Sequence, residues 1–228
     1  MTASGHPHFD QLVAKAKTVQ ARLVFLPTVA VGGTAVAIYA KHRVSLDVDF
    51  VSPMLAERFD EVENALLGMA DFSIARIRRP VLILGSLDGD EIGLRQLRRA
   101  EPLDAVEVDG LWIPTLAELL RVKAYLLADR RAVRDFIDVC ALVRTAGLEA
   151  ALAAMESFDA LYGGISTAGP LLAFAEAAHD QPVDLDDFDP GSWRSLAPAY
   201  RDIERVLAEV RKFSVSAVEA AAARRAGG

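Results

Sequence analysis

Two aspartates, Asp47 and Asp49, stand one residue apart in the stretch Val44-Ser45-Leu46-Asp47-Val48-Asp49-Phe50, a short way after a Gly32-Gly33-Thr34 turn. Side chains alternate along a strand, so Ser45, Asp47 and Asp49 are expected on one face while Val44, Leu46, Val48 and Phe50 project from the other. Carboxylates two apart are roughly 7 Å apart at the backbone by strand rise, a spacing that lets them hold one or two hard divalent cations. Mg2+ is the natural choice, with Mn2+ able to replace it. The alternative is that both acids are only the solvated face of an edge strand. The glycine turn upstream favours the metal reading.

That turn must be made by a particular succession of elements. Thr28 to Val31 is β-branched and small enough for a buried strand, and Gly32-Gly33 permits a sharp bend and close approach of a ligand to the backbone. Ala35 to Lys41 reads as helix. A helix starting at a glycine turn presents free N–H groups and the positive end of its dipole, which suits a phosphate, and Thr34 is expected to add a hydroxyl there.

A second chemical block lies further along. Pro114-Thr115-Leu116-Ala117-Glu118 reads as a helix start, with Thr115 and Glu118 as a capping box. The apolar stripe of that helix runs Leu116, Leu119, Leu120, Leu126 and Leu127, and Lys123 falls inside it at helical spacing. Such a lysine either snorkels to the edge of the packed face or brings its ammonium into a site as a point charge for phosphate. Arg134-Asp135-Phe136-Ile137-Asp138-Val139 follows on a second amphipathic helix, where Asp135 and Asp138 share a flank at i and i+3.

Gly32, Gly33 and Thr34 followed by Arg43-x-Ser45-x-Asp47-x-Asp49 resembles the signature of nucleotidyltransferases of the DNA polymerase β superfamily, specifically the AbiEii-like branch that includes the MenT toxins. The Lys123 and Arg134-Asp135-x-x-Asp138 block resembles the same branch in order as well as type. Together the two blocks cover roughly residues 28 to 140. The resemblance implies a polymerase β-type α/β (α+β) head with a mixed sheet, then a C-terminal helical bundle. It implies that Gly32, Gly33, Thr34, Arg43 and Ser45 serve nucleotide binding, that Asp47 and Asp49 hold the metal, and that Lys123 contacts the triphosphate. Asp135, with Asp138 beside it, completes the catalytic set. One departure stands out. Polymerase β-type sites carry a third acid on a later strand, and in Asp88-Gly89-Asp90-Glu91-Ile92-Gly93-Leu94-Arg95 no aspartate stands at mid-strand. Asp88-Gly89 reads as a hairpin turn, and Glu91 is the nearest substitute. Either Asp135 takes over that role or the protein only binds nucleotide.

The implied activity is transfer of a nucleoside monophosphate from an NTP to an acceptor hydroxyl, for the toxin branch the 3′ end of tRNA. The implied partners are NTP, an RNA acceptor and a cognate antitoxin protein. The competing readings are a small-molecule or protein nucleotidyltransferase, and a catalytically silent nucleotide-binding protein.

Composition bounds these readings. The chain has 228 residues, 52% of them hydrophobic, with a mean hydropathy of +0.23. No run of 18 apolar residues reads as a membrane span, and the first ten residues lack a signal-peptide pattern, so a cytoplasmic protein is expected. The single cysteine, Cys140, sits on an apolar helix face and reads as a small buried hydrophobe. His6-x-His8 reads as part of a mobile tail, and Ala220 to Gly228 is expected to fray. The acidic segment 180–191 reads as a solvated connection, since two prolines and no closing glutamate argue against calcium. A boundary near 113 separates residues 1–113, the head, from 114–228, a helical domain contributing Lys123 and Asp135 to the site.

A net charge of −7 disfavours broad attraction to nucleic acid. Three arginine clusters, at 76, 78 and 79, at 95, 98 and 99, and at 130, 131 and 134, could hold a phosphate backbone if they shared a face near the two aspartates.

Overall fold

Alternating apolar and polar residues build the sheet that carries the two aspartates. The computed structural model describes residues 6–99, 101–163 and 169–227. Residues 1–5 and Gly228, which fall in the terminal stretches read above, lie outside the described residues. The chain divides into two compact units between Thr115 and Leu116.

The first unit runs α1 (Pro7–Arg22), β1 (Val29–Val31), α2 (Gly32–Ala40), β2 (Asp47–Ser52), α3 (Phe59–Leu67), β3 (Phe72–Arg78), β4 (Leu82–Leu87), β5 (Asp90–Gln96), β6 (Ala105–Val108) and β7 (Leu111–Pro114). Five strands form a mixed sheet in the order β1-β2-β5-β4-β3, while β6 and β7 pair separately. Only β2 and β5 run parallel within the sheet; its other neighbours are antiparallel. Ser45 lies before β2 and not on it.

One sheet face is core. Ala30, Phe50, Leu94 and Ile83 form a buried row across β1, β2, β5 and β4, with Val48 and Ile92 in the next row. Helices α1 and α3 pack in this unit through Leu12, Ala16, Val19, Val62 and Leu66. Fully burying one such aliphatic side chain contributes about 1.5–3 kcal/mol. Asp88 and Gly89 both take positive φ, 47° and 82°, and make the two-residue turn expected between β4 and β5. In β3 a bulge between Ile74 and Arg76 sends Ile74 to the core face and Arg76 to the other.

The N-terminal histidines are not a loose tail. Pro7 begins α1, where a missing N–H costs nothing, and His8 Nε2 lies 3.6 Å from Asp90 Oδ1.

The second unit is helical: α4 (Leu116–Arg130), α5 (Val133–Ala146), α6 (Leu148–Ala154), α7 (Phe158–Tyr162), α8 (Pro170–His179) and α9 (Ile203–Gly227), with short 3₁₀ turns between them. Phe158, Phe174 and Phe213 make edge contacts in its interior. Arg144 on α5 holds Glu209 on α9 with Nε–Oε2 at 2.7 Å and Nη2–Oε1 at 2.8 Å. That arginine pulls the Glu209 carboxyl down to about 2. Burial pushes the Cys140 thiol up to about 12, so it stays protonated and inert at neutral pH, as a packed hydrophobe should. The acidic segment has a structural task as well: Asp184 Oδ1 accepts from Val133 N at the start of α5, 2.7 Å away, and Val183 N donates to Arg131 O. The end of α9 stays helical through Gly227, with Arg224 and Arg225 bonded to Glu156 and Asp159. The charged end that was expected to fray is instead tied down.

Candidate active site

The glycine turn and the aspartate pair form one interlocked cluster in the first unit. Gly32 takes φ +74°, a conformation that costs a side-chain-bearing residue, and leads into α2. A Cβ on Gly32 would stand 3.5 Å from Asp49 Oδ2, so this carboxylate lies directly beside the turn. Gly33 is fixed by sterics: a Cβ there would meet Arg43 Nη2 at 2.6 Å and Ser45 Oγ at 2.8 Å. Arg43 and Ser45 are both buried.

The hydroxyls aim at Asp47. Ser45 Oγ donates to Asp47 Oδ1 at 3.1 Å, and Thr34 Oγ1 donates to the Asp47 carbonyl at 2.6 Å. Thr34 is fully buried, and its hydroxyl ties the first turn of α2 to the first residue of β2. Each signature residue therefore has a physical reason: bare Cα atoms where side chains press in, and hydroxyls that fix the backbone and carboxylate of Asp47. Asp47 and Asp49 alternate with buried Val48 and Phe50 and stay half-buried themselves.

Strand register reveals what sequence alone did not. On the aspartate face, Asp47 pairs with Glu91, Asp49 with Gly93 and Val51 with Arg95. A Cβ on Gly93 would fall 2.3 Å from Asp49 Oδ1, so the space a third side chain would fill is taken by Asp49. Arg95 Nε donates to the same Oδ1 at 3.3 Å. Arg76 continues the row of Asp49, Gly93 and Leu84, and Arg78 continues the row of Arg95 and Leu82. Arg76, Arg78 and Arg95 are exposed and share this face. Arg79 turns elsewhere, to Asp60 and Glu63. Arg99 donates to the carbonyls of Glu101 and Pro102.

Among the described residues no three or more His, Cys, Asp or Glu side chains gather for a metal. The donor set is the carboxylate pair, which suits a hard divalent cation that keeps waters in its shell. The bare Cα of Gly93, which lets the Asp49 carboxylate lie against β5, and the fixed orientation of Asp47 fit that use.

In the second unit Lys123 is 2% exposed, and its Nζ lies 2.7 Å from Asp138 Oδ2 and 3.7 Å from Asp135 Oδ1. Asp135 accepts two bonds from Arg130, Nε to Oδ2 at 2.6 Å and Nη2 to Oδ1 at 2.8 Å. Both carboxylates are fully buried. Two cations and two anions thus balance in a desolvated knot between α4 and α5. The lysine within the apolar stripe of α4 has inward-facing partners, which resolves its odd placement without snorkelling. Glu118 meets Arg121 Nη2 at 2.7 Å, a second buried pair on the same helix.

No family model matches the chain. Over 103 residues, 42% of its length, it is 35% identical to the heme uptake protein MmpL11 of Mycobacterium tuberculosis and to the probable transport protein MmpL11 of Mycobacterium bovis. The match spans only 11% of the length of those curated relatives. No helix among the described residues is long and apolar enough to cross a membrane. Solved structures share more of the chain. The crystal structure of JHP933 from Helicobacter pylori superposes with a TM-score of 0.54 at 15% identity, covering 97% of each chain. The solution structure of the antibiotic-resistance factor ANT(2'')-Ia gives 0.51 at 15% identity, over 68% of this chain and 93% of that one. The chain shares the fold of the JHP933 structure over nearly its whole length, a mixed sheet followed along the chain by helices.

Proposed function

We propose that this chain moves a nucleoside monophosphate from an NTP to an acceptor hydroxyl in a Mg2+-dependent reaction, with RNA, the 3′ end of tRNA, as acceptor. The observation that carries the proposal is the Asp47–Asp49 pair on one face of β2, with the Asp49 carboxylate against the glycine turn that opens α2. A triphosphate at that turn would meet the first N–H groups of a helix and the acid pair together. Bound by Asp47 and Asp49, magnesium would screen the triphosphate and polarise the reacting oxygen.

The chain's own residues do the rest. Thr34 and Ser45 hold Asp47 in place, while Gly33 and Arg43 shape the turn. The acceptor oxygen forms a bond to the α-phosphorus as the bond to the bridging oxygen breaks, and pyrophosphate leaves. The acceptor proton passes to an acidic group, and by the resemblance Asp135 serves the acceptor or the metal. By the resemblance Lys123 serves the triphosphate, and Asp138 and Asp135 lie beside its ammonium. Asp138 and Arg130 are then the groups that position Lys123 and Asp135. The exposed arginines 76, 78 and 95 on the aspartate face support an RNA acceptor, since positive charge in the row of Asp49 and the row beside it can hold a phosphate backbone.

A toxin role with a cognate antitoxin, acting in the cytoplasm, completes the proposal; it predicts growth arrest on induction that Asp49→Ala does not cause. A second reading has one observation in its favour: β5 offers Gly93 and Arg95, not an aspartate, beside Asp49, which suits a protein that binds nucleotide and does not turn it over. Incubation with each labelled NTP, Mg2+ and, separately, total tRNA or cell protein decides. Label on tRNA supports the proposal, label on protein or small molecules redirects the acceptor, and bound but unconsumed NTP favours the silent binder.

A further inference from the structure

On the aspartate face β5 sets one acid, Glu91, opposite Asp47 and brings a cation to Asp49. Glu91, Gly93 and Arg95 of β5 stand opposite Asp47, Asp49 and Val51. Gly93 cedes its space to the Asp49 carboxylate, and Arg95 reaches along the sheet to the same oxygen, 3.3 Å away. A guanidinium is permanently charged and bonds carboxylate and phosphate oxygens with the same planar fork, but it is no metal ligand.

We infer that Arg95 is the resident counter-ion of Asp49, which a divalent cation must displace and whose guanidinium then turns to the triphosphate, so that metal and nucleotide bind as a coupled set. The inference rests on the reading of Asp47 and Asp49 as the metal-holding pair. Two cations at one carboxylate repel, so Arg95 opposes metal binding while no nucleotide is present. A triphosphate supplies several negative charges, and the arginine then stabilises the complex it had opposed. By linkage, each ligand strengthens the other. Arg95 is 49% exposed and Asp49 31%, so solvent limits the effect to a modest factor.

The test is Mn2+ binding to the full chain, followed by the paramagnetic signal of free Mn2+, with and without a non-hydrolysable NTP analogue. Arg95→Gln is expected to bind Mn2+ alone about threefold to fivefold more tightly than wild type. It should also gain less affinity when the analogue is added, and turn over NTP more slowly. Arg95→Lys keeps the charge and should retain wild-type Mn2+ affinity. Tighter binding is not what a damaged fold produces. If folded Arg95→Gln binds Mn2+ as wild type does or more weakly, while Asp49→Asn loses it, the counter-ion role is overturned and the acid pair stands. If Asp49→Asn binds Mn2+ like wild type, the metal reading falls and the inference with it.

Discussion

The cluster around Asp47 and Asp49 and the cluster around Lys123 both gather charged groups, yet they treat charge in opposite ways. In the first, buried hydroxyls and bare glycines hold two acids that stay half exposed, and Arg95, the cation bonded to Asp49, is itself half in solvent. In the second, Lys123, Arg130, Asp135 and Asp138 neutralise one another where three of the four are almost wholly buried. The first is poised to take up an ionic ligand. The second is already satisfied, and a buried ion set of that kind contributes orientation more than net stability. Loss of a group should therefore affect activity alone in the first cluster and folding as well as activity in the second.

The strongest way to break this contrast is Asp49→Ala. We expect labelled nucleotide incorporation to fall about a thousandfold, the rate equivalent of about 4 kcal/mol, with the thermal melting temperature essentially unchanged. A comparable loss of stability would place Asp49 in the structural class. Next, Asp138→Ala leaves Lys123 buried without its 2.7 Å partner and should cost about 3 kcal/mol in urea unfolding. Exchanging both ions, Lys123→Met with Asp138→Leu, should restore most of that stability while activity stays lost. A double variant that is active would free the helical cluster from any part in the reaction.

Gly33→Ala sharpens the account of the turn. Its Cβ would crowd Arg43 and Ser45, so about 2 kcal/mol of destabilisation is expected, together with weaker NTP binding measured by calorimetry. An unperturbed variant would show that the buried arginine can give way. The smallest effect is at Glu209, an ion pair outside both clusters. Its folded pKa of about 2 lies below the ordinary 4.5, so its contribution is present above 4.5 and is lost as pH falls through about 2. Glu209→Gln should cost about 1 kcal/mol at neutral pH, and the gap from wild type should shrink as the medium is acidified from 4.5 toward 2.

Local patterns made the site's first half readable. Gly32-Gly33-Thr34 and Asp47-x-Asp49 each fall within a few residues, and Asp88-Gly89 announces its turn by the conformations only such residues accept readily. The strands and the helical second half followed from the same periodicities, while the mixed character of the sheet was implied only by the resemblance. What escaped was long-range. Nothing in Arg95 itself tells that β5 lies parallel to β2 with residue 95 beside 51, because register is set by distant pairing. Arg76 reaches the same face only because the bulge after Ile74 shifts the alternation. Thr34 was legible as a residue of the turn, but its hydroxyl's bond to the Asp47 carbonyl depends on how α2 meets β2. His8 was misjudged because the pull of Asp90 comes from a turn eighty residues away in the chain.

The bare Cα of Gly93 sets a rule for anyone who would rebuild this centre. A side chain placed at 93 would press on the Asp49 carboxylate and make it shift, so a third acid there would disturb the pair it joins. On the same face β5 already carries Glu91 opposite Asp47, and an acid at 95 would exchange the cation bonded to Asp49 for an anion. Position 95, and not the bare position 93, thus sets which charge β5 brings to the Asp49 carboxylate.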